Sequence, residues 1–157
     1  MKYDISALGN ALVDTQYMVD YEFLESIGLE ADSMTLASAE EQAPIIKKLI
    51  DMGSESVSDC GGSATNSLIA ASNYGSKCHH VCRVSDDADG KKYLESLRSA
   101  GVDHIGVSSK EPNMPTGKCL ILVTPDAKRT MSSMLGVSAF LATSDIKFDV
   151  IDDSKIF

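Results

Sequence analysis

Strand-like and helical patterns alternate along this 157-residue chain, and glycines mark where the helical patterns end. Glycine readily adopts the left-handed backbone conformation that closes a helix. Three predicted helices are each followed directly by such a glycine: 21–27 by Gly28, 38–52 by Gly53, and 90–100 by Gly101. Short strands separated by helices are typical of an α/β protein.

The predicted strands lie at 3–8, 12–19, 33–37, 77–84, 102–105, 117–124 and 129–134. The last two flank Pro125-Asp126-Ala127-Lys128, whose proline suits the second position of a tight turn. We therefore expect an antiparallel hairpin within the α/β fold. The buried face of the 38–52 helix, which opens with a Ser38–Glu41 capping box, is expected to comprise Ala39, Ala43, Ile46 and Ile50.

The charge balance argues against a nucleic-acid partner. The chain has 14 Lys and Arg against 23 Asp and Glu, whereas binding a phosphate backbone needs a surplus of cations. No apolar run approaches the roughly 20 residues of a membrane helix, and the first residues lack the basic and apolar regions of a signal peptide. We expect a cytoplasmic protein that binds neither nucleic acid nor membrane.

The segment CHHVC at 78–82 has the residue types of a metal site. In a strand, however, successive side chains point to opposite faces, so His79 would face away from the other three candidates. Four convergent ligands are then impossible, and no metal site is expected. The four cysteines, which include Cys60 and Cys119, are expected to pack as small apolar groups rather than to form disulfides.

The stretch DCGGSATNSLIAASNYG at 59–75 places two glycines before a helical pattern and an asparagine one turn inside it. Helix N-termini offer unsatisfied N–H donors, and a residue without Cβ lets a ligand approach them. An amide can both donate and accept, as the hydroxyls of a sugar require. Gly61, Gly62 and Asn66 are therefore candidates for a polyhydroxyl-binding site. Alternatively, the glycines only permit tight helix packing and Asn66 caps locally.

Asp14 is a further candidate. The segment GNALVD at 9–14 places this residue at the end of the first predicted strand, where ligands commonly bind in α/β proteins. A carboxylate accepts hydrogen bonds from two neighbouring hydroxyls and so can select a diol. The alternative is that Asp14 is a turn or capping residue.

Five motifs occur in the order found in one protein family: GNALVD (9–14), GGSATN (61–66), RVSDDADG (83–90), PTG (115–117) and KRTMSSMLGVS (128–138). By these motifs the chain resembles the PfkB family of carbohydrate kinases over essentially its whole length, with the adenosine kinase-like and related sugar kinase members most similar. The resemblance implies a ribokinase-like α/β domain with a small β-sheet lid, whose strands would lie at about 13–19, 33–37, 117–124 and 129–134.

The resemblance also implies roles for individual residues. Asp14 would bind sugar hydroxyls with Asn10 beside it, and the Gly61–Gly62 pair and Asn66 would hold the same sugar through backbone N–H and amide contacts. Arg129, on a lid strand, would lie on the phosphate side of the site. The family implies ATP and Mg²⁺ as cofactors, a sugar or nucleoside as the small-molecule partner, and a homodimer formed through the lid.

Two departures from the family pattern affect these expectations. Ser85 stands where the family usually has glycine, and its Cβ restricts the loop before Asp86. The family's downstream aspartate-threonine and glycine-alanine-glycine-aspartate segment, which supplies the anion hole and the catalytic base, does not occur in these 157 residues. No catalytic residue is therefore expected here: the base would lie beyond Phe157, and the C-terminal half of the domain would be absent.

We therefore expect the N-terminal, substrate-recognising portion of an ATP-dependent sugar or nucleoside kinase, inactive by itself. The alternative is a non-catalytic sugar- or nucleoside-binding module, or a unit that dimerises through the lid.

Overall fold

The computed structural model describes residues 1–109 and 114–157, and for residues 107–109 it describes the backbone alone. The strands are β1 (Tyr3–Leu8), β2 (Leu12–Met18), β3 (Met34–Leu36), β4 (Ser56–Gly61), β5 (Cys78–Ser85), β6 (Val102–Ser109), β7 (Gly117–Val123), β8 (Arg129–Met134) and β9 (Ser154–Ile156). The α-helices are α1 (Tyr21–Ser26), α2 (Ala39–Asp51), α3 (Ser63–Asn73), α4 (Ala88–Ser99) and α5 (Phe148–Asp152). Strands and helices alternate along the chain, as the sequence predicts for an α/β protein.

The chain forms two compact units. The first, here called the parallel-sheet unit, comprises Met1–Val13, Cys60–Gly117 and Leu135–Phe157. The second, the hairpin unit, comprises Asp14–Asp59 and Lys118–Met134. Both units are therefore assembled from segments that are distant in sequence.

The parallel-sheet unit is built on a sheet with the strand order β6-β5-β1-β9. All three of its strand pairings are parallel, with Ile5 opposite Cys78, Cys78 opposite Val102, and Tyr3 opposite Ser154. Helices α3 and α4 pack on β5 and β6. The core between them consists of Ala11, Val13, Leu68, Cys78, Cys82, Val84, Tyr93, Leu97 and Val102.

The hairpin unit contains most of a second sheet with the strand order β3-β8-β7-β2-β4. Strands β7 and β8 form the predicted antiparallel hairpin, with Leu120 opposite Ser132. Its turn is closed by a hydrogen bond from the Ala127 N–H to the Thr124 carbonyl oxygen at 2.8 Å. Ala127 adopts a left-handed conformation with a φ of 63°. The core of this unit, beside helices α1 and α2, consists of Tyr17, Phe23, Leu24, Leu49, Leu120 and Leu122.

Two sequence predictions about this unit differ from the structure. The strand β4 was not predicted, because SVSDCG has one aliphatic residue and no clean alternation. The predicted buried face of α2 is wrong: Ile50 is 63% exposed, whereas Gln42 and Leu49 are buried. The capping box is confirmed, since Ser38 Oγ accepts from the Glu41 N–H and Glu41 Oε2 accepts from the Ser38 N–H.

Gln42 accounts for the difference between the predicted and the observed buried face of α2. Its Nε2 donates to the Ser132 carbonyl at 2.7 Å, so a polar side chain is satisfied inside the unit. Hydrophobic periodicity assigns such a residue to the solvent side and rotates the predicted face away from it.

Substitution of neighbouring residues on α2 tests this orientation. We expect Leu49→Ala to lower the free energy of unfolding by about 2–5 kcal/mol, because it leaves a cavity in the core. Ile50→Ala is the matched control and should change it by less than about 0.5 kcal/mol. Urea denaturation of both variants measures the difference, and a larger loss for Ile50→Ala would contradict the observed face.

Candidate functional site

The turn between β4 and α3 is held together by close backbone packing. Gly62, the residue before α3, has a φ of 102°, which side-chain-bearing residues rarely adopt. A Cβ at this position would lie 2.6 Å from the Asn10 carbonyl oxygen and 3.3 Å from Thr65 Oγ1. Glycine is therefore required here by packing against the Gly9-Asn10 turn, as one of the two sequence interpretations proposes.

The start of α3 has no side chain that caps it. The first hydrogen bond inside the helix runs from the Asn66 N–H to the Gly62 carbonyl at 2.9 Å, and Gly62 itself cannot supply a capping oxygen. The N–H groups of the first turn thus remain available to an acceptor. The Asn66 side chain is exposed and makes no hydrogen bond within the described part of the chain, so it is not a local cap.

A buried hydrogen-bonded cluster lies on the interior side of this turn. Thr65 Oγ1 contacts Tyr93 Oη and lies 3.3 Å from His80 Nε2, and His80 Nδ1 lies 3.2 Å from the Ala7 carbonyl oxygen. Burial lowers the pKa of His80 to about 4, so the ring is neutral at pH 7. The cluster ties the first turn of α3 to α4, β5 and β1.

Asn10 lies beside this turn, at the carboxyl end of β1. The N–H of Gly9 donates to the Val81 carbonyl at 3.2 Å, and a Cβ on Gly9 would approach Ala64 Cβ to 2.8 Å. The Asn10 side chain is exposed and has no hydrogen-bond partner among the described residues. Asn10, Gly61, Gly62 and Asn66 are thus brought together within the parallel-sheet unit.

Asp14 lies in the hairpin unit, as the third residue of β2. The sequence predicted it at the end of the first strand, which is wrong, and its position inside a strand also excludes the turn or capping role. The side chain is half-buried, and no hydrogen bond to it is found in the described ranges. Burial raises the pKa of the Asp14 carboxyl, with Asp59 adding to the rise and Arg129 opposing it.

Arg129 is therefore close enough to Asp14 to affect its ionisation. It is the first residue of β8, stands opposite Val123 in the hairpin, and is exposed. Asp59 was not among the predicted site residues, although it directly precedes Cys60 and the glycine pair. Asp14, Asp59 and Arg129 form the charged cluster of the hairpin unit.

The acidic run before α4 has a structural role. Asp87 caps the helix by accepting from the Gly90 N–H at 2.7 Å, and its other oxygen accepts from the Thr116 N–H at 2.9 Å. Ser85, which replaces the usual glycine, does not have a positive φ, and its N–H donates to Thr116 Oγ1 at 2.9 Å. Its Cβ therefore imposes no left-handed strain on this loop.

The CHHVC segment forms part of β5, and its histidines point to opposite faces. His80 belongs to the buried cluster, while the His79 ring packs against Tyr3 with the ring centres 5.0 Å apart. No disulfide joins any of the four cysteines. Among the described residues no group of three or more His, Cys, Asp or Glu side chains is arranged to hold a metal ion, and no helix could cross a membrane.

Comparison with known proteins identifies the family and the fold of this chain. The profile of the pfkB family carbohydrate kinases matches residues 23–156. Adenosine kinase from Sinorhizobium meliloti is 30% identical and superposes with a TM-score of 0.84, over 99% of this chain and 46% of that one. A probable sugar kinase from Rhizobium etli is 28% identical with a TM-score of 0.83, over 98% and 45% of the two chains.

The chain belongs to the pfkB family of carbohydrate kinases. Mouse ribokinase is 28% identical over 100 residues, which are 61% of this chain and 30% of that relative. The chain thus spans less than half the length of the solved structures it matches.

The requirement for glycine at position 62 is testable. We expect Gly62→Ala to lower the free energy of unfolding by more than about 2 kcal/mol, because the methyl group would meet the Asn10 carbonyl as well as impose backbone strain. Gly75→Ala is the matched control: its φ of 92° imposes similar strain at the other end of α3, but nothing lies within 4 Å. Thermal or urea unfolding of both variants separates the effect of the Asn10 contact from that of backbone strain. Equal losses of stability in the two variants would contradict the contact.

Proposed function

We propose that this chain carries the acceptor-binding side of an ATP-dependent kinase that phosphorylates a hydroxymethyl group of a sugar or nucleoside. Membership of the pfkB family supports the reaction class. The observation that carries the binding role is the half-buried Asp14 carboxyl, for which no hydrogen bond is found in the described part of the chain. A half-buried carboxylate that accepts no hydrogen bond is less well solvated than an exposed one, and a ligand that donates to it restores part of that solvation.

The proposed roles follow the chemistry of each group. The Asp14 carboxylate accepts hydrogen bonds from two neighbouring hydroxyls of the substrate. Within the parallel-sheet unit, the uncapped N–H groups at the start of α3, beside Gly61 and Gly62, donate to substrate hydroxyls, and the amides of Asn10 and Asn66 both donate and accept. Arg129 provides positive charge on the side of the transferred phosphate.

The phosphoryl donor in this proposal is ATP with Mg²⁺, as the family implies. The proton acceptor would come from a segment beyond Phe157, so we expect no turnover from these 157 residues alone. We further propose that β2, β3, β7 and β8 form a lid that excludes water from the transfer. The proposal includes a cytoplasmic location and no nucleic-acid or membrane partner.

The role of Asp14 is tested by ligand titration. We expect Asp14→Asn to weaken binding of the preferred compound among adenosine, ribose and fructose by about 10-fold or more, because a charged acceptor is lost. Asp51→Asn is the matched control, an exposed carboxylate paired with Lys47 in the same unit. Calorimetry on the 157-residue chain, and on a longer form that also contains the ATP-binding segment, measures both.

The pH dependence of binding gives a second measurement of the same role. Because the pKa of Asp14 is raised, the unliganded carboxyl takes up a proton at a higher pH than an ordinary aspartate. Binding should therefore weaken as the pH falls through this raised pKa, and the Asn variant should lack this step. Unchanged affinity in Asp14→Asn would exclude the assigned role.

A unit that dimerises through its lid is the second candidate function. The three residues of β3 are all exposed, and Met34 and Leu36 present 60% and 68% of their surface to solvent. We expect Leu36→Lys to shift a dimer to monomer in sedimentation equilibrium, whereas Ile50→Lys, on an exposed helix face, should not. A chain that is monomeric before mutation would rule out this candidate.

A further inference from the structure

The Thr65–Tyr93–His80 cluster is polar although it is fully enclosed. Thr65, His80 and Tyr93 each expose 0% of their surface. A core position that needs only volume can hold apolar groups of the same shape at little or no cost in stability. Hydrogen-bonded polar groups in a core instead fix the distances and orientations of the elements that carry them. Packing alone therefore does not account for the polar composition of this cluster.

The proton positions in the cluster follow from its partners. The Ala7 carbonyl oxygen, 3.2 Å from His80 Nδ1, can only accept, so we assign the proton of the neutral ring to Nδ1. His80 Nε2 then holds a lone pair. The hydroxyls of Thr65 and Tyr93 both lie 3.3 Å from this nitrogen, and either can donate to it. The ring thus has one tautomer, and its orientation is determined at both nitrogens.

This network joins the two backbone segments that carry the candidate amides of the parallel-sheet unit. On one side, Thr65 directly precedes Asn66 in the first turn of α3. On the other side, a Cβ on Gly9 would lie 3.7 Å from His80 Cε1, so the ring lies against the backbone just before Asn10. One imidazole therefore links the start of α3 to the end of β1.

The two amides depend on this link for their position. The side chains of Asn10 and Asn66 are exposed, and neither makes a hydrogen bond within the described part of the chain. Where each amide can reach is therefore set by its backbone. Groups that are already held in place when a ligand arrives lose less freedom on binding, which raises the affinity.

We propose that Thr65, His80 and Tyr93 are positioning residues for the acceptor, which hold Asn10 and the start of α3 at a fixed separation without touching the substrate. This inference rests on the proposed function, because it requires a ligand that binds these groups. Its effect is on the affinity for the acceptor.

Two substitutions of Thr65 separate positioning from packing. Thr65→Val keeps the shape of the side chain and removes the hydroxyl, whereas Thr65→Ser keeps the hydroxyl and removes a methyl group. We expect Thr65→Val to weaken binding of the preferred compound among adenosine, ribose and fructose roughly fivefold, and Thr65→Ser less than about twofold. Calorimetry on the 157-residue chain measures both. Unchanged affinity in Thr65→Val, or a larger loss in Thr65→Ser, would overturn the proposal.

Thr116→Val is the matched control. Its hydroxyl is equally buried in the same unit but donates to Asp87, away from the network. We expect this variant to lose stability and to change the affinity less than about twofold. A loss of affinity as large as that of Thr65→Val would mean that any buried hydroxyl of this unit has the same effect, and would contradict the positioning role.

A double-mutant cycle tests whether the network acts through Asn10. If it does, Thr65→Val should weaken binding less in an Asn10→Ala background than in the unmodified chain. Additive losses would contradict the proposal. Asp14→Asn distinguishes the two levels of inference: if it weakens binding and Thr65→Val does not, the proposed function stands and the positioning role is wrong.

Nitrogen NMR of the His80 ring checks the network without any ligand. We expect a protonated Nδ1 and an unprotonated Nε2 at pH 7 in the unmodified chain. A proton on Nε2 would exclude the hydrogen bond to Ala7, and with it the link between α3 and β1.

Discussion

The contact between Gly62 and the Asn10 carbonyl determines how the parallel-sheet unit is assembled around its candidate site. With an added Cβ only 2.6 Å from that oxygen, α3 could not begin where it does, and its first turn would move away from the end of β1. The Thr65–Tyr93–His80 cluster holds the same turn from the buried side. Because backbone packing and a satisfied polar cluster fix the helix start, its exposed N–H groups and the Asn66 amide have a defined position.

The course of the chain could largely be predicted from the sequence, and particular residues show why. β1 and β8 have the predicted bounds, and Gly28, Gly53 and Gly101 all adopt the positive φ that ends a helix. These features depend on local chemistry, namely turn residues, caps and alternation. The face of α2 and the strand β4 depend instead on tertiary partners, such as the Ser132 carbonyl that receives Gln42, which no local pattern contains.

The candidate site likewise combines residues that local sequence motifs indicate with residues that only the folded chain brings together. The family motifs pointed to Asn10, Asp14, Gly61, Gly62, Asn66 and Arg129, whose roles remain predictions. They did not point to the His80 cluster, because its members are far apart in sequence and each looks like an ordinary core residue. Asp59 was missed for a related reason: its effect on Asp14 is a charge interaction between two strands of one unit, and pairing of β2 with β4 cannot be read from either segment alone.

The parts of this chain that lack internal partners are therefore more informative about ligands than the parts that are well packed. His80 is as deeply buried as His79, yet both of its ring nitrogens lie beside protein atoms, and its structural role is complete. Asp14 differs from His80, because it is half-buried and no hydrogen bond to its carboxyl is found in the described part of the chain. Desolvation of an unpaired polar group has to be offset within the fold or by binding. In the hairpin unit this reasoning, joined to family membership, supports the proposal that Asp14 binds a hydroxylated substrate.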